Sequence, residues 1–173
     1  MTYELNNSFS IILRNFSANC QYLWIRWPSK KMAIFRFINK AMKDILDKVP
    51  PCFEFLKATM LEYGGGKAKV KFLPTEEMLN PFGIIQGGIL AGMLDNIIGP
   101  AIFTLAPKRP TSTVQMNVNY LAAVKAGDEL IGTAEVIHMG RSQVYVEAQL
   151  MRGDKLIAKA TCTNLFLDIV PKQ

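Results

Sequence analysis

The spacing of hydrophobic and polar positions changes several times along the chain. In residues 32–49, MAIFRFINKAMKDILDKV, the residues Ile34, Ile38, Met42, Ile45 and Val49 recur three and four apart, the spacing of one helix face. Pro50 and Pro51 end that helix. The runs FLKATMLEY and KAKVKFLP flank Gly64, Gly65 and Gly66 and predict a hairpin with glycines in its turn. TEEMLNPFG has no period and reads as a loop, and residues 87–105 follow as an apolar helix. Strand character then fills 111–122, 128–139, 142–152 and 155–168. Val114, Met116, Val118 and Tyr120 alternate with polar residues, the period of a strand. Gly127, Gly140 with Arg141, and Gly153 with Asp154 punctuate these runs at hairpin spacing. The pattern predicts a long apolar helix wrapped by an antiparallel sheet of about five to six strands, an α+β domain spanning residues 32–173.

The segment GIIQGGILAGMLDNIIGPAIF carries a single charge, Asp95. Its length and low charge would suit a membrane span. However, Gly83, Gly87, Gly88, Gly92, Gly99 and Pro100 make a poor spanning helix, and the strands that follow need a partner to cover one face. A core helix, apolar all round because a sheet wraps it, accounts for everything except Asp95 and Asn96. A buried carboxylate is costly unless paired or functional, and its pKa tends to rise. No Lys or Arg lies within four residues of Asp95 to pair with it locally. Asp95 is therefore either a structural group capping another part of the fold or part of a site. Gly87 and Gly88 favour the site. Glycines at a helix start leave backbone N–H groups approachable, and the helix dipole adds partial positive charge there, which suits a developing oxyanion.

Composition narrows the chemistry. Hydrophobic residues make up 50% of the chain and charged residues 20%, ordinary values for a soluble globular domain. Cys20, Cys52 and Cys162 are scattered with no CxxC pair, which argues against a disulfide framework and fits a reducing compartment. His138 is the only histidine, which argues against a histidine metal site and against a Ser-His-Asp triad; no metal or other cofactor is expected. The formal charge of +6 is uneven: residues 1–51 hold eight basic and three acidic residues, residues 52–173 twelve and eleven. The body is nearly neutral, so nucleic acid is not an expected partner. Residues 1–31 form a basic extension that holds both tryptophans, in YLWIRWPSKK. It reads as an appendage to the domain. A transit peptide and a start of translation at Met32 are alternatives, and a membrane-surface segment is a less favoured one. The expected compartment is the cytoplasm, or the mitochondrion if residues 1–31 are a transit peptide in a eukaryotic source.

The spacing N-x5-Q-G-G-x6-D, formed by Asn80, Gln86, Gly87, Gly88 and Asp95, resembles the hotdog-fold acyl-CoA thioesterases of the phenylacetate-degradation (PaaI-like) branch. Their motif runs Asn, then His-Gly-Gly, then Asp. The resemblance continues through VNYLAAVKAGD, GRS and LIAKATCT and covers residues from about 53 to 168, leaving 1–31 without counterpart. It implies a helix wrapped by an antiparallel sheet, at least a dimer, and hydrolysis of an acyl-CoA or acyl-carrier thioester. Asp95 would be the nucleophile or the base activating water. The Gly88 N–H would polarise the thioester carbonyl, Asn80 would orient the reacting groups, and Thr113 would stand near the attacking water. Gly87 and Asn96 would line the substrate site. Lys108, Arg109 and Arg141 would meet the phosphates of coenzyme A.

Gly88 and Asp95 are seven residues apart on one helix, about 10 Å at 1.5 Å per residue. A nucleophile and an oxyanion donor must both lie about 3 Å from the reacting centre. Two antiparallel copies of the helix satisfy this by facing Gly88 of one chain with Asp95 of the other, so a catalytic site here predicts a homo-oligomer with interfacial sites. The chain departs from the motif at Gln86, which replaces the usual His. A Gln amide donates a hydrogen bond but transfers no proton. A thiolate leaves readily and needs less acid help than an amine, so thioester hydrolysis does not strictly require an acid at 86. The alternative is a non-catalytic acyl-CoA-binding protein.

Overall fold

The computed structural model describes residues 50–107 and 109–167. The expected helix over 32–49 and the extension over 1–31 lie outside the described residues. The elements in chain order are α1 (Pro51–Phe55), β1 (Ala58–Gly64), β2 (Lys67–Phe72), a 3-10 turn (Glu76–Met78), α2 (Gly87–Phe103), β3 (Thr111–Tyr120), β4 (Leu130–Met139), β5 (Gln143–Arg152) and β6 (Lys155–Phe166). The six strands form one antiparallel sheet in the order β1-β2-β4-β5-β6-β3.

Strand alternation turns Ala68, Val70 and Phe72 of β2 and Leu130, Gly132 and Ala134 of β4 toward the helix, and leaves Lys67, Lys69 and Lys71 on the outer face. A row of alanines crosses the sheet: Ala68 pairs with Ala134, Ala134 with Ala148, and Ala148 with Ala160. These small residues let α2 lie against β2, β4 and β5. At Gly132 the approach is closest, since an added Cβ would stand 2.2 Å from Ile97 Cδ1. The helix buries Leu90, Met93, Leu94, Ile97, Ile98, Ala101 and Ile102. It ends at Phe103 rather than 105, where Thr104 takes over: its hydroxyl donates to the Ala101 carbonyl (2.8 Å) and accepts the Gly66 N–H (2.7 Å), fastening the β1–β2 turn to the helix end. No helix among the described residues is long and apolar enough to cross a membrane.

The sheet covers one side of α2. Gly88, Asp95 and Gly99 lie on the other side and are exposed in the single chain. Asp95 is therefore not the buried carboxylate that the apolar sequence around it suggested. Glycine and alanine raise the apolar content of the segment without needing cover, so the stripe that must be buried is narrower than the sequence looks.

One strand also breaks its expected period. In β3, Thr113 pairs with Asn164 and Gln115 with Thr163, which leaves Val114 as an extra residue, a β-bulge. Met116, Val118 and Tyr120 keep the alternation, opposite Cys162, Ala160 and Ala158. Val114 leaves it and is 58% exposed. Thr113 takes the helix-facing place instead.

Candidate active site

The approach to α2 is a tight loop built on Asn80. Its Oδ1 accepts the N–H groups of Phe82 (2.9 Å) and Ile84 (3.5 Å), and its own N–H donates to the Ile84 carbonyl (2.8 Å). Gly83 closes the turn at φ 71°, in the left-handed region, and donates to the Asn80 carbonyl (3.0 Å). Ile85 donates to the Val124 carbonyl and Gln86 to the Met78 carbonyl (2.8 and 2.9 Å), which sets the entry into the helix. Asn80 thus shapes the loop that aims the helix start.

Gln86 is the N-cap residue. Its carbonyl accepts the N–H groups of Ile89 (2.9 Å) and Leu90 (3.3 Å), while its exposed side chain makes no capping bond. The first helical amides, those of Gly87 and Gly88, have no acceptor among the described residues, as expected for a helix start. An added Cβ at Gly88 would meet nothing within 4 Å, so the amide is approachable. Gly87 sits under the ring of Tyr120, whose Cζ would be 3.5 Å from an added Cβ.

Asp95 lies two turns further along. The Thr113 hydroxyl stands 2.8 Å from Asp95 Oδ1 and 3.2 Å from Asn164 Oδ1. Asn164 is 3% exposed, and its Nδ2 lies 3.2 Å from Cys162 Sγ. Burial pushes the Cys162 thiol up, against the nearby Thr113 hydroxyl; the Asp95 charge pushes it further, against the Asn164 amide. Cys162 is therefore a neutral thiol near pH 7. No salt bridge reaches Asp95 among the described residues. One carboxylate oxygen is engaged by a hydroxyl, and the other has no hydrogen bond among the described residues.

The remaining candidates are placed as follows. The Asn96 amide donates to the Gly92 carbonyl (2.8 Å) and to Cys52 Sγ (3.3 Å), tying α1 to α2 rather than joining Asp95. Arg109 lies with its guanidinium 3.6 Å from the centre of the Phe166 ring, and its Nη2 donates to the Arg141 carbonyl (2.8 Å). Phe166 is two residues from Asn164 on β6, at the same strand parity. Lys108 lies outside the described residues. The sequence reading missed Asn164 and Tyr120. Asn164 had a signal: a polar residue at the inward parity of Ala158, Ala160 and Cys162. Tyr120 carries no sequence signal beyond its place in the β3 alternation.

The Thioesterase superfamily model matches residues 82–165, the span from the loop before α2 to the end of β6. A 1,4-dihydroxy-2-naphthoyl-CoA hydrolase from Listeria monocytogenes is 33% identical over 101 residues, 57% of this chain and 80% of that protein. The chain belongs to the thioesterase superfamily. The human acyl-coenzyme A thioesterase 13 is 29% identical over 110 residues, 62% of this chain and 79% of the relative. The crystal structure of a phenylacetic acid degradation-related protein from Ralstonia eutropha superposes with a TM-score of 0.67 at 28% identity, covering 72% of this chain and 98% of that one. The six-stranded sheet around one long helix is the hotdog fold, and the chain is a thioester hydrolase of the PaaI-like type.

Proposed function

We propose that the protein hydrolyses acyl-CoA thioesters at sites shared by two antiparallel copies of the chain. The observation that carries this reading is that Asp95, held by Thr113, and the bare Gly88 amide lie on the open face of one helix, about 10 Å apart at 1.5 Å per residue. A second copy brings the Gly88 amide of one chain opposite Asp95 of the other. The edge strand β3 supports the same pairing. It is ten residues long, TSTVQMNVNY, with neither Lys nor Pro to block a neighbour. Val114, Tyr120 and Leu121 are 58%, 51% and 59% exposed along and just beyond it.

In the proposed reaction the thioester carbonyl oxygen accepts the Gly88 N–H at the positive end of α2. Asp95 either attacks the carbonyl carbon itself or takes a proton from the water that does. A new C–O bond forms, and the negative charge on the former carbonyl oxygen is held at the helix terminus. Collapse breaks the C–S bond, and the thiolate leaves with the electron pair and is protonated afterwards. Where Asp95 attacks directly, water then hydrolyses the mixed anhydride. Gln86 contributes a hydrogen-bond donor at most, which suffices for a thiolate leaving group. Arg109, braced on Phe166 and the Arg141 carbonyl, offers its remaining N–H donors to the phosphates of the CoA carrier. The relatives that act on acyl-CoA and naphthoyl-CoA substrates support CoA as carrier.

A panel of aryl-, short- and long-chain acyl-CoAs tests the reading, with Asp95→Asn as control. Wild-type turnover lost in a folded Asp95→Asn protein supports it. Tight acyl-CoA binding without turnover in either protein would contradict it.

A further inference from the structure

Thr113 is in an unusual position for a hydroxyl that has one proton to give. Two oxygen acceptors compete for it: Asp95 Oδ1 at 2.8 Å and Asn164 Oδ1 at 3.2 Å. If the proton goes to Asn164, a hydroxyl lone pair faces the Asp95 carboxylate at 2.8 Å, which is repulsive. If it goes to Asp95, the Asn164 oxygen faces a hydroxyl lone pair in a buried place, where an unmet acceptor is costly. The amide offers the way out. Its Oδ1 and Nδ2 stand 3.2 Å from Thr113 Oγ1 and Cys162 Sγ respectively, so a half-turn of the amide exchanges the atoms and keeps both distances. After that turn every group donates once along a single chain. The Cys162 S–H donates to Asn164 Oδ1, Asn164 Nδ2 donates to Thr113 Oγ1, and Thr113 Oγ1 donates to Asp95 Oδ1.

We infer that Asn164 is a positioning residue for the thioesterase site: its buried amide fixes the Thr113 hydroxyl as a one-way donor to Asp95 Oδ1, leaving Oδ2 to act. The inference rests on the proposed role of Asp95 and adds a residue that never touches substrate. The neutral state of the Cys162 thiol, raised by burial, lets it serve as the first donor. The β3 bulge is part of the device, because it brings Thr113 onto the face of Asn164. A bond along such a chain is polarised by the one before it, so the effect of Asn164 is to keep the carboxylate from rotating between equivalent hydrogen-bonded states.

The test is a double-mutant cycle read on kcat in the full-length protein, with neutron diffraction from the perdeuterated protein beside it. Asn164→Ala is expected to lower kcat about tenfold with KM little changed, the size of one lost hydrogen bond to a charged-site network. In a Thr113→Val background the same substitution is expected to lower kcat by less than about twofold, because Asn164 acts only through that hydroxyl. Asn164→Ser, which keeps a donor in the strand, serves if the alanine variant folds poorly; its loss of kcat is expected to be larger in the Thr113 background than in the Thr113→Val one. Equal losses in both backgrounds would overturn the inference and show a merely structural residue. The neutron map is independent of turnover. Deuterons on Asn164 Nδ2 toward Thr113, and on Thr113 toward Asp95, support the chain even in a protein that binds without hydrolysing. A Thr113 deuteron on Asn164 would overturn it.

Discussion

The Thr113 hydroxyl reaches Asp95 Oδ1 at 2.8 Å across eighteen residues of sequence, from the sheet to the helix. The contact depends on the bulge at Val114, which turns Thr113 inward out of phase with Met116 and Val118. Asp95 is exposed in the single chain and pairs with no cation among the described residues, so this hydroxyl is the contact that orients its carboxylate.

Thr113→Val keeps the shape and removes the donor. It is expected to lower kcat by about ten- to a hundredfold, the range for a hydrogen bond to a charged group. Thr113→Ser is expected to stay within severalfold of wild type. Steady-state kinetics on the best substrate of the panel checks both, and a fully active valine variant would show that Asp95 needs no such contact.

Gly132 sets how closely the helix lies on the sheet. An added Cβ would meet Ile97 Cδ1 at 2.2 Å, Phe72 Cε2 at 3.0 Å and Leu150 Cδ2 at 3.1 Å. Gly132→Ala is expected to cost about 1–3 kcal/mol of stability through overpacking. Urea unfolding at fixed protein concentration measures it as a lower midpoint with unchanged slope.

Asp128 gives a pH signature. Its carboxylate accepts the Lys125 N–H (2.8 Å) and pairs with the Arg152 guanidinium. The Lys125 bond, with the hydrogen bond and charge of Arg152, outweighs desolvation and holds its pKa below the usual 3.8. A depressed folded pKa means that the unfolded chain binds its proton at higher pH than the folded one. The stabilisation is therefore fully present above the unfolded value and is lost as pH falls through the folded one. The melting-temperature gap between wild type and Asp128→Asn is expected at pH 7 and should shrink below about pH 4. A gap that persists unchanged at pH 2 would place the effect elsewhere.

Much of the fold was legible in the sequence. The strand periods after residue 111 and the glycine punctuation marked four strands, and the glycine triplet at 64–66 marked the β1–β2 hairpin. The motif spacing also singled out Asp95 and Gly88, and the family resemblance added Thr113. What was not legible came from tertiary geometry. The bulge at Val114 leaves no local mark, since Val is a good strand residue on either face. The exposure of Asp95 was hidden because Gly88, Gly92 and Gly99 look apolar by composition yet need no cover. Asn164 was visible only as a parity break in β6, and its meaning required knowing that β3 pairs with β6.

The division of the site between two chains is the central claim, and subunit mixing tests it most directly. Asp95→Asn removes the carboxylate. Gly88→Pro removes the amide donor at a first-turn position where proline is tolerated. Each variant alone is expected to be nearly inactive. After unfolding and refolding together, half of the dimers carry one chain of each kind, and one of their two sites combines an intact Gly88 with an intact Asp95. Recovery of about a quarter of wild-type activity is expected at equal mixing, as two-fold symmetry requires. No recovery in a mixture shown by native mass spectrometry to contain the hybrid would contradict it, because Gly88 and Asp95 would then have to serve from the same chain.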